Sequence, residues 1–243
     1  MNWITESVKR SNKLRNHIKM NQIDIFIKDE LPESIDADIV FNTFKKLIPE
    51  HLLGGVDVVY IGDFDVFREK ETNAAFLDGA IYVSNKQDSN QDMIDDIVHE
   101  LAHSVEERYT QIIYNDETLK AEFVGKRKRL FDILLNYDYE PPAKIKSVYH
   151  YDEEIDMYFY KKVGYEAMWN LVNGLFPSPY SATALREYFA IGFENYFMGD
   201  RSQLKKFCPV LYSKLEDLEF MEERWHTYLI QNLKKKWTKL LNF

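Results

Sequence analysis

The segment Ile97-Val98-His99-Glu100-Leu101-Ala102-His103 constrains this chain more than any other stretch. Its two histidines stand one helical turn apart, so on a helix both imidazoles can reach one metal ion, with Glu100 beside the water that such an ion activates. Helical periodicity runs through the same residues. At about 100° per residue, Ile94, Ile97, Val98, Leu101 and Val105 share one face, and His99, His103 and Glu106 fall on roughly the opposite one. Ser89-x-x-Asp92 supplies a capping box where the helix is predicted to begin. The pattern predicts a helix that packs an apolar stripe inward and turns two imidazoles toward a cleft, which points to a zinc hydrolase. The competing reading is a surface helix carrying two solvated histidines.

The rest of the composition is compatible with that chemistry. A chain of 243 residues, 45% hydrophobic and 15% aromatic, is long enough to bury a large core in a single domain or two closely packed lobes. The lone Cys208 excludes an internal disulfide framework. The start, Met1-Asn2-Trp3-Ile4-Thr5-Glu6-Ser7, lacks the basic-then-apolar build of a secretion signal, and no run reaches the ~18 apolar residues that cross a bilayer. A cytoplasmic location and no membrane spanning are the expectations. A net charge of -9 argues against nucleic acid as a partner, because phosphate is repelled over most of the surface. Two basic clusters, Lys126-Arg127-Lys128-Arg129 and Lys234-Lys235-Lys236, read as solvated helix faces in preference to docking sites.

Periodicity divides the chain near residue 110. Before it, Trp3 to Lys19 reads as a weak helix, and Ile23-Asp24-Ile25-Phe26-Ile27 alternates like a strand. Asp36 to Leu47 reads as a helix with Ile39, Val40, Phe44 and Leu47 inward, and Val56 to Ile61 as a second strand. Ala74 to Leu77 and Ala80 to Val83 form a hairpin about Asp78-Gly79, which leads into the site helix. After Tyr109 long amphipathic patterns take over: Glu117 to Leu135, Asp152 to Leu175 with a break near Gly164, Thr183 to Met198, Gln203 to Tyr212, and Asp217 to Leu241. The expected fold class is α+β in one domain over 1–243. A small mixed sheet and the site helix would form an N-terminal lobe over about 1–110, and 111–243 an all-helical lobe.

Two histidines and a water leave a tetrahedral zinc one protein ligand short. Glu106 and Tyr109 occupy the positions where the longer H-E-x-x-H-x-x-G-x-x-H motif places glycine and histidine, so the third ligand must come from afar. Glu187 is the strongest candidate, with Glu166 and His150 as rivals. His17, His51 and His226 stand alone and read as surface or core histidines. The run Tyr180 to Phe197, with Arg186-Glu187-Tyr188-Phe189-Ala190 at its centre and a tyrosine seven residues before the glutamate, resembles the third-ligand helix of the gluzincin metallopeptidases related to anthrax lethal factor and the Pro-Pro endopeptidases. The resemblance implies a zincin-like fold, Glu187 as zinc ligand and the Tyr180 hydroxyl as support for the oxyanion. It also implies that Gly79 to Ser84 is an edge strand that pairs with substrate. His103 and Glu187 lie 84 positions apart, which implies an inserted helical segment. Ile191 stands where the family often has a second acidic residue, so the group orienting a ligand histidine is expected to be Glu194 or Asp96.

Together these readings describe an endopeptidase that holds one Zn²⁺ with His99, His103 and Glu187, uses Glu100 as general base, and acts on a peptide or protein substrate. A non-catalytic peptide- or protein-binding module on the same scaffold is the alternative, and the intact Glu100 argues against it. A third reading makes the C-terminal aromatics Trp225, Tyr228 and Trp237 contacts of a helical interaction module, although such residues more often pack in a core.

Overall fold

The computed structural model of the chain describes residues 17–65, 67 and 72–224. The predicted helix over Trp3 to Lys19 lies outside these residues as far as Asn16, and its last part, 17–19, belongs instead to a strand. This strand, β1 (His17–Met20), turns through Asn21 at φ +52° into β2 (Ile23–Ile27). Asparagine tolerates that left-handed backbone because its short side chain adds little crowding. Next comes α1 (Ala37–Leu47), capped by the Asp36 carboxylate, which accepts from the Ile39 amide at 3.1 Å. Its buried stripe is Val40, Phe41 and Phe44; Ile39, expected inward, is 52% exposed because it lies about 100° from Val40.

β3 (Val58–Gly62) follows, then β4 (Ala74–Leu77) and β5 (Ala80–Ser84), joined by Asp78 at φ +49° and Gly79 at φ +79°. Two successive positive φ angles make the tight hairpin turn that Asp-Gly favours. The five strands order as β1-β2-β3-β5-β4, with β2–β3 and β3–β5 parallel and the two outer pairs antiparallel. This placement corrects one expectation. β5 is paired on both sides, so residues 79–84 are not an edge, and the free edge on that side belongs to β4. Ile25, Val59, Ile61, Ile81 and Val83 bury one face of the sheet. On the other face Phe26, Tyr60 and Tyr82 line up ring to ring across three strands.

The site helix α2 (Asn90–Arg108) starts at Ser89, whose hydroxyl accepts from the Asp92 amide at 3.2 Å. Met93, Ile94, Ile97, Val98, Leu101, Ala102 and Val105 are all buried, and the helix packs on α1, β4 and β5. α3 (Thr110–Tyr114) and α4 (Thr118–Asn136) continue the chain. The predicted long helix from Asp152 is in fact α5 (Glu153–Met157), a π-helical turn over Tyr158–Val163, a break at Gly164 with φ +83°, and α6 (Tyr165–Val172). α7 (Leu185–Met198), α8 (Arg201–Phe207) and α9 (Pro209–Glu219) complete the described part. Pro209 ends α8 and opens α9 because proline fits the first helical turn and disfavours a preceding helix. The rest of the predicted C-terminal helix, with Trp225, His226, Tyr228, Lys234 to Lys236 and Trp237, lies outside the described residues.

The buried apolar residues form one cluster from Met20 to Leu218, drawing on the sheet and on the helices of both halves. The architecture is α+β, a small five-stranded sheet with helices packed on it and a helical second half. No helix among the described residues is long and apolar enough to cross a membrane. The first basic cluster is split: Lys128 and Arg129 are exposed, as a solvated face requires, and the other two are not. Lys126 and Arg127 are buried, and their charges are spent on backbone carbonyls: Lys126 Nζ donates to Leu175 at 2.7 Å and Phe207 at 2.5 Å, and Arg127 to Ile145 and Thr183 at 3.0 and 3.1 Å.

Candidate metal centre

α2 and α7 pack against each other, and their contact brings residues 84 positions apart to one point. His99 and His103 project from the middle of α2 with their rings 4.9 Å apart, and Glu187 reaches them from the first turn of α7. Glu187 Oε2 lies 3.3 Å from His99 Nε2 and 3.7 Å from His103 Nε2. Among the described residues, these three side chains form a group whose donor atoms all lie within 4.8 Å of one another. Glu166 and His150 are exposed and take no part in it. His17 pairs with Asp24 at 2.8 Å, and His51 bonds the Leu218 carbonyl at 2.8 Å.

The electrostatics of the group are those of a cation site. Burial alone depresses the His99 imidazole, but hydrogen bonds and charge from Glu187 and Glu194 outweigh it and hold the pKa up at about 10. Burial likewise pushes the Glu187 carboxyl up, and the close His99 imidazole with the charges of His103 and Arg186 brings it below its ordinary value. Glu187 Oε2 is buried without a hydrogen-bond partner of its own. A buried carboxylate oxygen in that position needs positive charge beside it, which a protonated His99 supplies in the metal-free chain and a metal ion held by the same donors would supply in its place. Two nitrogens and one oxygen also form a donor set that zinc accepts with a fourth position left open.

Each imidazole has a carboxylate behind it. His99 Nδ1 is hydrogen-bonded to Glu194 Oε1, the first of the two residues expected for this task. Asp96, the other, accepts a 2.7 Å hydrogen bond from Gln87 instead. Burial is the main reason its carboxyl is pushed up to about 6, and the Glu100 charge adds to it. Behind His103 stands Glu106, with Oε2 3.6 Å from Nδ1 and the Tyr114 hydroxyl donating to Oε1. His103 Nδ1 is buried and lacks a hydrogen bond at that distance. Glu106 shares the histidine face in helical register, and its position three residues after His103 is the sequence signal for a carboxylate near that ring. Tyr114 carried none, because only the turn from α2 into α3 brings it back.

Glu100 is 8% exposed, on the same helix as both imidazoles. Tyr180 lies in a 3₁₀ turn, Tyr180–Ala182, just ahead of α7. Its ring centre is 6.5 Å from that of His99, and 39% of the residue is exposed. Burial of its hydroxyl, followed by the charges of Glu187 and Asp156, pushes the phenol well above its ordinary value, so at neutral pH it is a hydrogen-bond donor. The structure thus brings His99, His103 and Glu187 together, with Glu100 on the same helix and Tyr180 at the margin. Compared with known protein families, curated proteins and solved structures, the chain gives no match.

Proposed function

We propose that this chain is a zinc-dependent endopeptidase of gluzincin type on a zincin-like scaffold, with His99, His103 and Glu187 as ligands, Glu100 as general base and Tyr180 as oxyanion donor. The observation that carries the proposal is the unpartnered Glu187 oxygen between two imidazole Nε2 atoms, on a helix where a buried glutamate follows the first histidine. Glutamate at that place has no packing reason to be buried, and proton transfer gives it one.

Zinc bound by this set supplies Lewis acidity, which lowers the pKa of water from ~15.7 to about 7 and polarises a substrate carbonyl. The protein side chains perform the remaining steps. Glu100 accepts a proton from the attacking water as its oxygen bonds to the scissile carbon, and returns that proton to the leaving nitrogen as the C–N bond breaks. The Tyr180 hydroxyl donates to the oxygen that gains negative charge, and Glu194 and Glu106 hold the imidazoles in place.

The test is digestion of a peptide library by wild type and Glu100→Gln, with and without a chelator, beside elemental analysis of both proteins. Wild type is expected to contain one zinc and to cleave. Glu100→Gln is expected to keep the metal and lose at least about 100-fold in kcat, the usual scale for a removed general base. Equal cleavage by the two proteins overturns the assignment of Glu100. Zinc content with no cleavage by wild type overturns the peptidase reading in favour of a peptide-binding module.

A further inference from the structure

Arg127 is the most deeply buried charged residue described, fully shielded from solvent at the centre of α4, with no carboxylate within salt-bridge distance among the described residues. Its guanidinium lies against the rings of Phe123 and Phe159, 5.4 and 5.9 Å from their centres. Nε donates to the Ile145 carbonyl at 3.0 Å, Nη1 donates to the Thr183 carbonyl at 3.1 Å, and Nη2 has no partner. A buried cation whose opposing charge, Asp152, lies beyond ion-pair reach is expensive, so a residue of this kind needs a task that an apolar side chain cannot perform.

The task is visible in what Thr183 joins. Tyr180 stands three residues before it and Glu187 four after it, and the Thr183–Ala184 peptide is where the 3₁₀ turn hands over to α7. Ala184 caps α7 without a side-chain hydrogen bond, so the start of this helix lacks the usual local anchor. One local bond and two long-range ones replace it. The Thr183 hydroxyl donates to the Tyr180 carbonyl at 2.7 Å, the Leu185 amide donates to the Tyr149 carbonyl at 2.7 Å, and Arg127 grips the Thr183 carbonyl from beneath. Its second bond, to Ile145, ties the same point to the segment before Tyr149.

We infer that Arg127 is a positioning residue for the metal centre: through the Thr183 carbonyl it fixes the start of α7, and so places Glu187 and Tyr180 together against the imidazoles of α2. The inference rests on the reading of His99, His103 and Glu187 as a zinc site. Arg127 reaches its two carbonyls with different nitrogens, Nε and Nη1, held at a fixed angle in one plane, and a lysine at this position would have to reach both with one nitrogen.

The experiment measures zinc affinity of the full chain by competition with a chromophoric chelator, for wild type, Arg127→Lys, Glu187→Gln and the double variant, each checked for folding by circular dichroism. Arg127→Lys is expected to weaken zinc binding about tenfold or more, and to change it less than about twofold once Glu187→Gln has removed the ligand carboxylate. A merely structural role predicts the same loss in both backgrounds, and that result overturns the inference. So does a folded Arg127→Lys protein with wild-type affinity. Arg127→Met keeps the length of the side chain and removes both carbonyl bonds together with the buried charge, and it takes the place of Arg127→Lys if that protein fails to fold. It is expected to weaken zinc binding about tenfold or more with Glu187 present and less than about twofold in Glu187→Gln. Unchanged affinity, or equal losses in both backgrounds, overturns the inference. Wild-type protein that binds no zinc at any concentration overturns the reading of the site itself, and the role of Arg127 with it.

Discussion

His99 and Glu194 are hydrogen-bonded across the contact between α2 and α7, ring Nδ1 to carboxylate Oε1, while Nε2 of the same ring faces Glu187. Glu187 and Glu194 lie seven residues apart, two turns along one face of α7, so a single helix supplies both a member of the candidate metal group and the carboxylate bonded to the neighbouring imidazole. The bond settles which ring nitrogen stays free for a metal.

The first prediction concerns that bond. Glu194→Ala should lower zinc affinity about 10- to 100-fold while the chain stays folded, since outer-shell partners of ligand histidines are commonly worth that much. Glu194→Gln, which still accepts a hydrogen bond, should fall between the two. Chelator competition measures both, and wild-type affinity in Glu194→Ala removes Glu194 from the site.

Behind His103 the arrangement has one more member, and it makes a second prediction. Tyr114 donates to Glu106, which stands 3.6 Å from His103 Nδ1. Tyr114→Phe removes a hydrogen bond to a charged group and should cost on the order of 1–3 kcal/mol of stability in urea titrations. Its loss of zinc affinity should be smaller than that of Glu106→Ala, because the carboxylate remains near the ring. The reverse order would show that Glu106 does not act on His103.

A pH dependence follows from Asp96. Its carboxyl is raised to about 6 in the folded chain, mainly by burial, from an ordinary value of 3.8. Between these two values the folded state binds the proton more tightly than the unfolded state. This contribution to stability is therefore full below pH 3.8 and is lost as pH rises through about 6. Asp96→Asn keeps an acceptor for Gln87 and removes the charge, so it should stabilise the metal-free protein at pH 7–8 by on the order of 2–3 kcal/mol. The advantage should vanish near pH 4. Urea denaturation of wild type and variant across that range checks the sign, and a variant less stable than wild type at pH 8 contradicts it.

Gly192 gives a prediction about packing. It lies on α7 where α9 crosses closest, and a Cβ there would collide with the Leu211 side chain, with Cγ only 2.8 Å away. Alanine is the better helix former by about 1 kcal/mol, yet overpacking costs about 1–3 kcal/mol, so the clash should win and Gly192→Ala should lower the melting temperature. Gly192→Ala combined with Leu211→Ala should recover part of the loss that the two single changes predict by addition. A melting temperature equal to or above wild type for Gly192→Ala would show that α9 moves aside freely.

What the sequence determined by itself was local in origin. The register of His99, Glu100 and His103 against Ile97, Val98 and Leu101 follows from helix geometry alone, as does the cap at Ser89. The Asp78-Gly79 turn follows from the backbone those two residues permit, so all three were legible. Glu187 was legible as a candidate through the pattern around it, and Glu194 only as one of two acidic residues, with Asp96, that could orient a ligand histidine. Tertiary structure decided what depends on contacts far apart in the chain. Strand order put β5 inside the sheet, because β4 folds back on its outer side and periodicity carries no record of which strand is last. Lys126 and Arg127 read as a solvated basic run, since charge predicts exposure wherever no partner is in view. Their partners are carbonyls 18 to 81 residues away, and only the packed chain brings those oxygens within reach of the cations.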